Sequence, residues 1–205
     1  MIHENSGVFF VKRICKLGRC LSIKSIKSIN RLDSQNCFHS KNYTLHWWFS
    51  DYSINEIPLE TELLVLIGGN SWHINSLEIT NLIQNRLVAG KTVAAICGAV
   101  DFLAKNDLLN DKKHTGNSVY LWQSYEQYTN LSRFLEEQVV GDEPLITANG
   151  TATLEFINQV MKTVHALPVD QIDKITNLHN LGFYKYCDKF GNPYAQRMSL
   201  HLFMI

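Results

Sequence analysis

Residues 91–104 read KTVAAICGAVDFLA, and this stretch restricts the fold more than any other. Its first part, Thr92-Val93-Ala94-Ala95-Ile96, is short, apolar and partly β-branched. Runs of that kind suit a strand buried on both faces of a parallel sheet. Cys97 and Gly98 follow at once, and then Val100, Leu103 and Ala104 recur at helical spacing. A strand that passes into a helix through Cys-Gly, with almost no loop, has the form of a nucleophile elbow. The side chain at the bend is pushed out beyond the carboxyl end of the sheet, and Gly98 lets the backbone fold tightly behind it. A thiol there meets a helix N-terminus, whose dipole favours a thiolate. The competing reading of Cys97 is a buried core cysteine, since free cysteines pack well in cores.

The rest of the chain supplies what such an elbow needs. The sequence has 205 residues, 45% hydrophobic and 19% charged, which suits one globular domain with a sizeable core. The net charge of zero removes any overall electrostatic case for nucleic acid. No apolar run approaches a membrane span. The cysteines are Cys15, Cys20, Cys37, Cys97 and Cys187. The odd count without a CxxC spacing points away from a disulfide framework and from a zinc ribbon. A reducing cytoplasm is the simplest compartment.

Zero net charge conceals two kinds of sequence. Residues 1–50 hold eight Lys/Arg and two Asp/Glu, and the remainder holds eleven and seventeen. The first part is an atypical basic segment in which GVFFV (7–11) reads as a strand. SIKSIKSI (22–29) repeats every third residue, which suits neither strand nor helix. The segment is basic, Ser-rich and acid-poor, as transit peptides are, but has no signal-peptide core. Cys37 and His39 lack the further ligands that zinc needs. Trp47, Trp48 and Phe49 read as core or a loop anchor.

From residue 51 the pattern is regular. ELLVLI (62–67) reads as a buried strand that stops at Gly68-Gly69, a turn that leaves backbone N–H groups free. Asn75 and Glu78 have capping-box spacing. Ile79, Leu82, Ile83 and Leu87 then form a helix stripe ending at Gly90. His114-Thr115-Gly116 reads as the end of a short strand. Two further strands flank Gly141-Asp142-Glu143-Pro144. Residues 151–167 form an amphipathic helix with Leu154, Ile157, Val160, Met161 and Val164 inward. Residues 169–178 read as helical and 182–205 as irregular. The alternation of strands and helices implies an α/β fold with a mostly parallel sheet covered on both faces. The resulting division is 1–50 as the atypical segment, 51–181 as the α/β domain and 182–205 as a tail.

Four blocks in order, LVLIGGNSW (64–72), AAICGAVDFLAKNDLL (94–109), KKHTGNS (112–118) and LITANGTATLEF (145–156), carry a resemblance. Together they resemble the PfpI family of the class I glutamine amidotransferase-like superfamily, which includes the intracellular PfpI protease and the Parkinson-disease-associated protein deglycase. The resemblance covers residues 51–181 and implies a flavodoxin-like three-layer α/β/α sandwich. It implies that Cys97 is the family's nucleophilic, oxidation-prone cysteine. Gly69 and Gly98 match positions whose N–H groups form the oxyanion hole, and His114 falls near the site histidine. Such donors converging beside a thiolate, with a histidine to move its proton, fit covalent attack on a carbonyl.

The chain also departs from the family. The acidic residue that follows the first strand and tunes the cysteine has no counterpart here. Lys12 and Arg13 stand after GVFFV, and Glu4 precedes it. The glutaminase pattern is missing too, with Ala95 where glutaminases have glycine two residues before the cysteine, and no later His-x-Glu. The resemblance thus implies a cysteine-dependent hydrolase, protease, glyoxalase or deglycase acting on small carbonyl compounds or peptides, and not a glutaminase. It requires no metal and no organic cofactor. The alternative is a non-catalytic redox-sensing or stress protein, or a degenerate member without the acidic partner. Members are often homodimers. The apolar tail at 200–205 either covers a second subunit or folds back on its own core.

Overall fold

In a computed structural model of the chain, the described residues are 62–195 together with the backbone of five strands nearer the N-terminus. Those five are β1 (Gly7–Val11), β2 (Ile23–Lys27), β3 (Cys37–Ser40), β4 (Tyr43–His46) and β5 (Trp48–Ser50). The side chains of Cys37, His39, Trp48 and Phe49, and all of Glu4, Lys12, Arg13, Trp47 and 200–205, lie outside the described residues. The three-residue repeat of SIKSIKSI does not prevent strand formation: Ile23–Lys27 pairs antiparallel with β1 and parallel with β5.

The centre of the molecule is made by β6 (Leu63–Leu66), β7 (Thr92–Ile96) and β9 (Leu145–Ala148). All three are parallel, with Leu64 opposite Val93 and Val93 opposite Leu145. The hairpin strand β8 (Val139–Asp142) runs antiparallel to β9 and closes one edge. The sheet order is β5-β2-β1-β6-β7-β9-β8, with only β1 and β8 running against the rest. A short β3-β4 pair stands apart from it.

The alternation of a strand's side chains sorts the core into two layers. Leu64, Leu66, Val93, Ala95 and Leu145 face one way, against Ile83, Val100, Phe102, Leu103 and Trp122. Leu63, Ala94, Ile96, Ile146 and Ala148 face the other way, against Ala152 and Phe156. Helices α1 (Leu77–Val88) and α2 (Gly98–Lys105) supply the first layer, and α3 (Thr153–Thr163) the second. Helix α4 (Val169–Leu181) packs on α3, and α5 (Phe183–Phe190) on α4. This is a flavodoxin-like α/β sandwich with a mostly parallel sheet.

Four local expectations are corrected. The cap of α1 is Ser76, whose side chain accepts from the Ile79 N–H, whereas Asn75 accepts from Lys105 Nζ at 2.7 Å. Ile157 is 47% exposed, and Phe156 takes the inward position on α3. Val160 and Val164 pack against the core as expected, on the same side as Ala152 and Phe156. The His114–Gly116 segment is no strand end; His114 makes one isolated parallel bridge to Phe134. The region after Gly182 is a helix, α5, bracketed by Gly182 and Gly191 at φ 76° and 83°. Phe183, Tyr186 and Phe190 recur along one side at helical spacing; Tyr186 is buried, and Phe183 and Phe190 are exposed.

Candidate active site

The carboxyl ends of β6, β7 and β9 bring three turns together, which is where open parallel sheets place their sites. Cys97 sits at the end of β7 with φ 59° and ψ −130°. A β-branched or bulky residue rarely tolerates such angles, and the conformation costs about 1–3 kcal/mol that surrounding contacts must hold. Those contacts are visible. The Cys97 N–H donates to Ala148 O at 3.1 Å, and the Val100 N–H donates to Cys97 O at 2.9 Å.

The glycines explain how closely the turns approach. A Cβ built on Gly98 would lie 2.5 Å from Gly69 O, and one on Gly68 would lie 2.6 Å from Cys97 Cβ. Gly69 itself adopts φ 148°, where a side chain is strained. The Gly68-Gly69 turn and the Cys97-Gly98 elbow are therefore packed backbone to backbone. Gly98 opens α2, so its N–H has no acceptor within the helix. Neither the Gly69 nor the Gly98 N–H finds an acceptor among the described residues.

The sulfur is half-buried beneath a third turn. A Cβ on Gly150 would lie 2.9 Å from Cys97 Sγ. Asn117 Nδ2 donates to Sγ at 3.4 Å, and the Gly150 N–H donates to Asn117 Oδ1 at 2.9 Å. Asn149 Nδ2 donates to Gly116 O at 3.0 Å, and the Thr115 N–H donates to buried Thr147 Oγ1 at 2.9 Å. Residues 115–117 are thus tied across the end of β9.

His114 is fully buried and turned away from this arrangement. Its Nδ1 bonds Lys112 O at 2.7 Å, and its Nε2 bonds Tyr128 Oη at 2.9 Å. A carbonyl can only accept, so Nδ1 carries the proton and Nε2 accepts from the phenol. Trp122, Tyr128 and Phe134 surround the ring at 5.6–6.0 Å between centroids. Burial pushes the imidazole pKa down, against a smaller upward pull from the Lys112 carbonyl. Burial pushes the Tyr128 phenol up to about 12, which keeps its donor proton in place. The expected grouping of four is therefore brought together for Cys97, Gly69 and Gly98. His114 has both ring nitrogens committed elsewhere and gives none to the thiol.

Helix α2 also carries the half-buried carboxyl of Asp101. Asp101 Oδ1 accepts from Trp122 Nε1 at 2.7 Å. Burial raises its pKa, opposed by that bond and by the charge of His73. Among the described residues no three His, Cys, Asp or Glu side chains group as metal ligands, and no helix is long and apolar enough to cross a membrane.

A model of the DJ-1/PfpI family matches residues 32–163, a span that contains the elbow and all three turns. The chain belongs to the DJ-1/PfpI family. It is 46% identical over 145 residues to the Bacillus subtilis protein named uncharacterized protease YdeA, covering 71% of this chain and 74% of that one. It is 35% identical over 125 residues to the B. subtilis protein named uncharacterized protease YoaZ, covering 60% of each. Among solved structures it is similar to a ThiJ/PfpI family protein from Bacillus anthracis, with TM-score 0.63 and 32% identity, covering 71% and 72% of the two chains. It is also similar to the DJ-1 superfamily protein Atu0886 from Agrobacterium tumefaciens, with TM-score 0.55 and 25% identity over 63% and 72%.

Asn117, Asn149 and Gly150 are the site residues that reading for titratable groups passes over. All three stand inside the KKHTGNS and LITANGTATLEF blocks. The available signal was their position: each block follows or replaces a strand end at the same edge of the sheet as Cys97.

Proposed function

We propose that this family member is a cysteine-dependent enzyme that attacks the carbonyl carbon of small carbonyl compounds or peptides through Cys97. The observation that carries the reading is the strained elbow at Cys97 packed against the Gly68-Gly69 turn. In the first step the Cys97 thiolate forms a bond to the carbonyl carbon, and the C=O π pair moves onto oxygen. The Gly69 and Gly98 N–H groups, without an acceptor among the described residues, are the donors for that oxyanion. Donors of this kind are worth about 10²–10³ in rate because they are fixed before charge develops. The backbone strain is consistent with a function, since strained residues persist where a site requires them. The names of the B. subtilis relatives support including peptides among the substrates. In this reading the protein works in a reducing cytoplasm with no metal or organic cofactor.

The test is turnover of methylglyoxal and of a fluorogenic peptide by the purified protein beside Cys97→Ala. The reading expects activity on at least one substrate and a loss of about 10³-fold or more in the variant, the scale seen when a nucleophile is removed. Equal activity in both proteins overturns it.

A further inference from the structure

Among the described residues the side chain that bonds the Cys97 sulfur is an amide, not a carboxyl. Asn117 touches the sulfur with one arm and the turn over the sulfur with the other. The two ends of an amide are hard to tell apart by shape, but here the backbone assigns them. The Gly150 N–H can only donate, so the atom 2.9 Å from it is Oδ1. The arm 3.4 Å from Sγ is then the NH₂, a donor. Asn149 fixes the same segment by donating to Gly116 O, which sets the Asn117 backbone before any substrate arrives.

We propose that Asn117 is a catalytic residue that donates a hydrogen bond to the Cys97 sulfur and so favours its attacking anion; this rests on the reading of Cys97 as the nucleophile. A carboxyl in this position donates only while protonated. An amide does not titrate, so the donor is present wherever the protein is folded. The same side chain holds Gly150 over the sulfur, which fixes the side from which a substrate approaches.

Asn117→Asp separates the two roles. The carboxylate still accepts from the Gly150 N–H, but it has no donor for sulfur and places a negative charge beside it. Asn117→Ala removes both arms without adding charge. The readout is the iodoacetamide alkylation rate of Cys97 by peptide mass spectrometry, with Cys187 in the same sample as the internal control. No substrate is involved, so this result is independent of whether turnover is found. The expected result is a fall of about tenfold in Asn117→Asp and about threefold or more in Asn117→Ala, the scale of a hydrogen bond to a charged group. Cys187 should stay within twofold of wild type. A Cys97 rate within twofold of wild type in Asn117→Asp, or a change shared equally by Cys187, overturns the proposal.

Discussion

At the scale of single residues, His114 shows how a burial pattern decides a role that residue type leaves open. An imidazole near a cysteine suggests proton transfer, and the KKHTGNS block gives no sign that the ring turns inward. The ring is instead a neutral cross-link between Lys112 O and Tyr128. That has a consequence for stability. The unfolded imidazole titrates near 6.5, and burial places the folded one lower. Between those values the unfolded chain binds more protons, so the contribution is full above about 6.5 and is lost as pH falls through and below it. His114→Gln should cost about 1–3 kcal/mol at pH 7.5, because Tyr128 or the Lys112 carbonyl loses its partner. It should also flatten the decline in stability between pH 7 and pH 5. Urea denaturation of both proteins across that range measures the two effects, and an unchanged slope contradicts the assignment.

At the scale of elements, the strand–elbow–helix unit was legible from thirteen or so letters because every level agrees on it. The apolar run, the Cys-Gly bend and the helical spacing of Val100, Leu103 and Ala104 all match β7, the bend and α2. Where competing signals were close in strength, the cap moved by a residue to Ser76, and on α3 Phe156 took the inward place expected of Ile157 while Val160 and Val164 kept theirs. Helix α5 was hidden because its aromatic content obscured a period that packing on α4 makes use of. Asp101 on α2 tests the coupling of elements. Its carboxyl links α2 to the short 3-10 turn Val119–Trp122 through the indole N–H. Since burial raises its folded pKa, ionisation costs stability as pH rises through that value. Asp101→Asn keeps an acceptor for the indole and sheds the charge, so at pH 7 it should be neutral or stabilising by up to about 1 kcal/mol. Asp101→Leu leaves the indole N–H without its acceptor and should cost about 1–3 kcal/mol. Melting curves of the two variants separate the outcomes; equal losses contradict this account of the carboxyl.

At the scale of the whole molecule, the fold class followed from alternation alone, but the convergence of the site did not. Residues 68–69, 97–98, 117 and 149–150 come from four separate stretches, and only the parallel order β6-β7-β9 lays their ends side by side. Sequence spacing shows which turns end strands; it does not show which N–H groups go unpaired or which amide meets the sulfur. The central claim is that these turns make Cys97 the atom that bonds the substrate. The most direct measurement is intact and peptide mass spectrometry of protein mixed with methylglyoxal or the peptide and quenched with acid within the first turnover. The expected result is a covalent adduct that maps to Cys97, forms no slower than product, and is absent from Cys97→Ala. Product formation with no adduct on Cys97, or with the adduct on another residue, would contradict it.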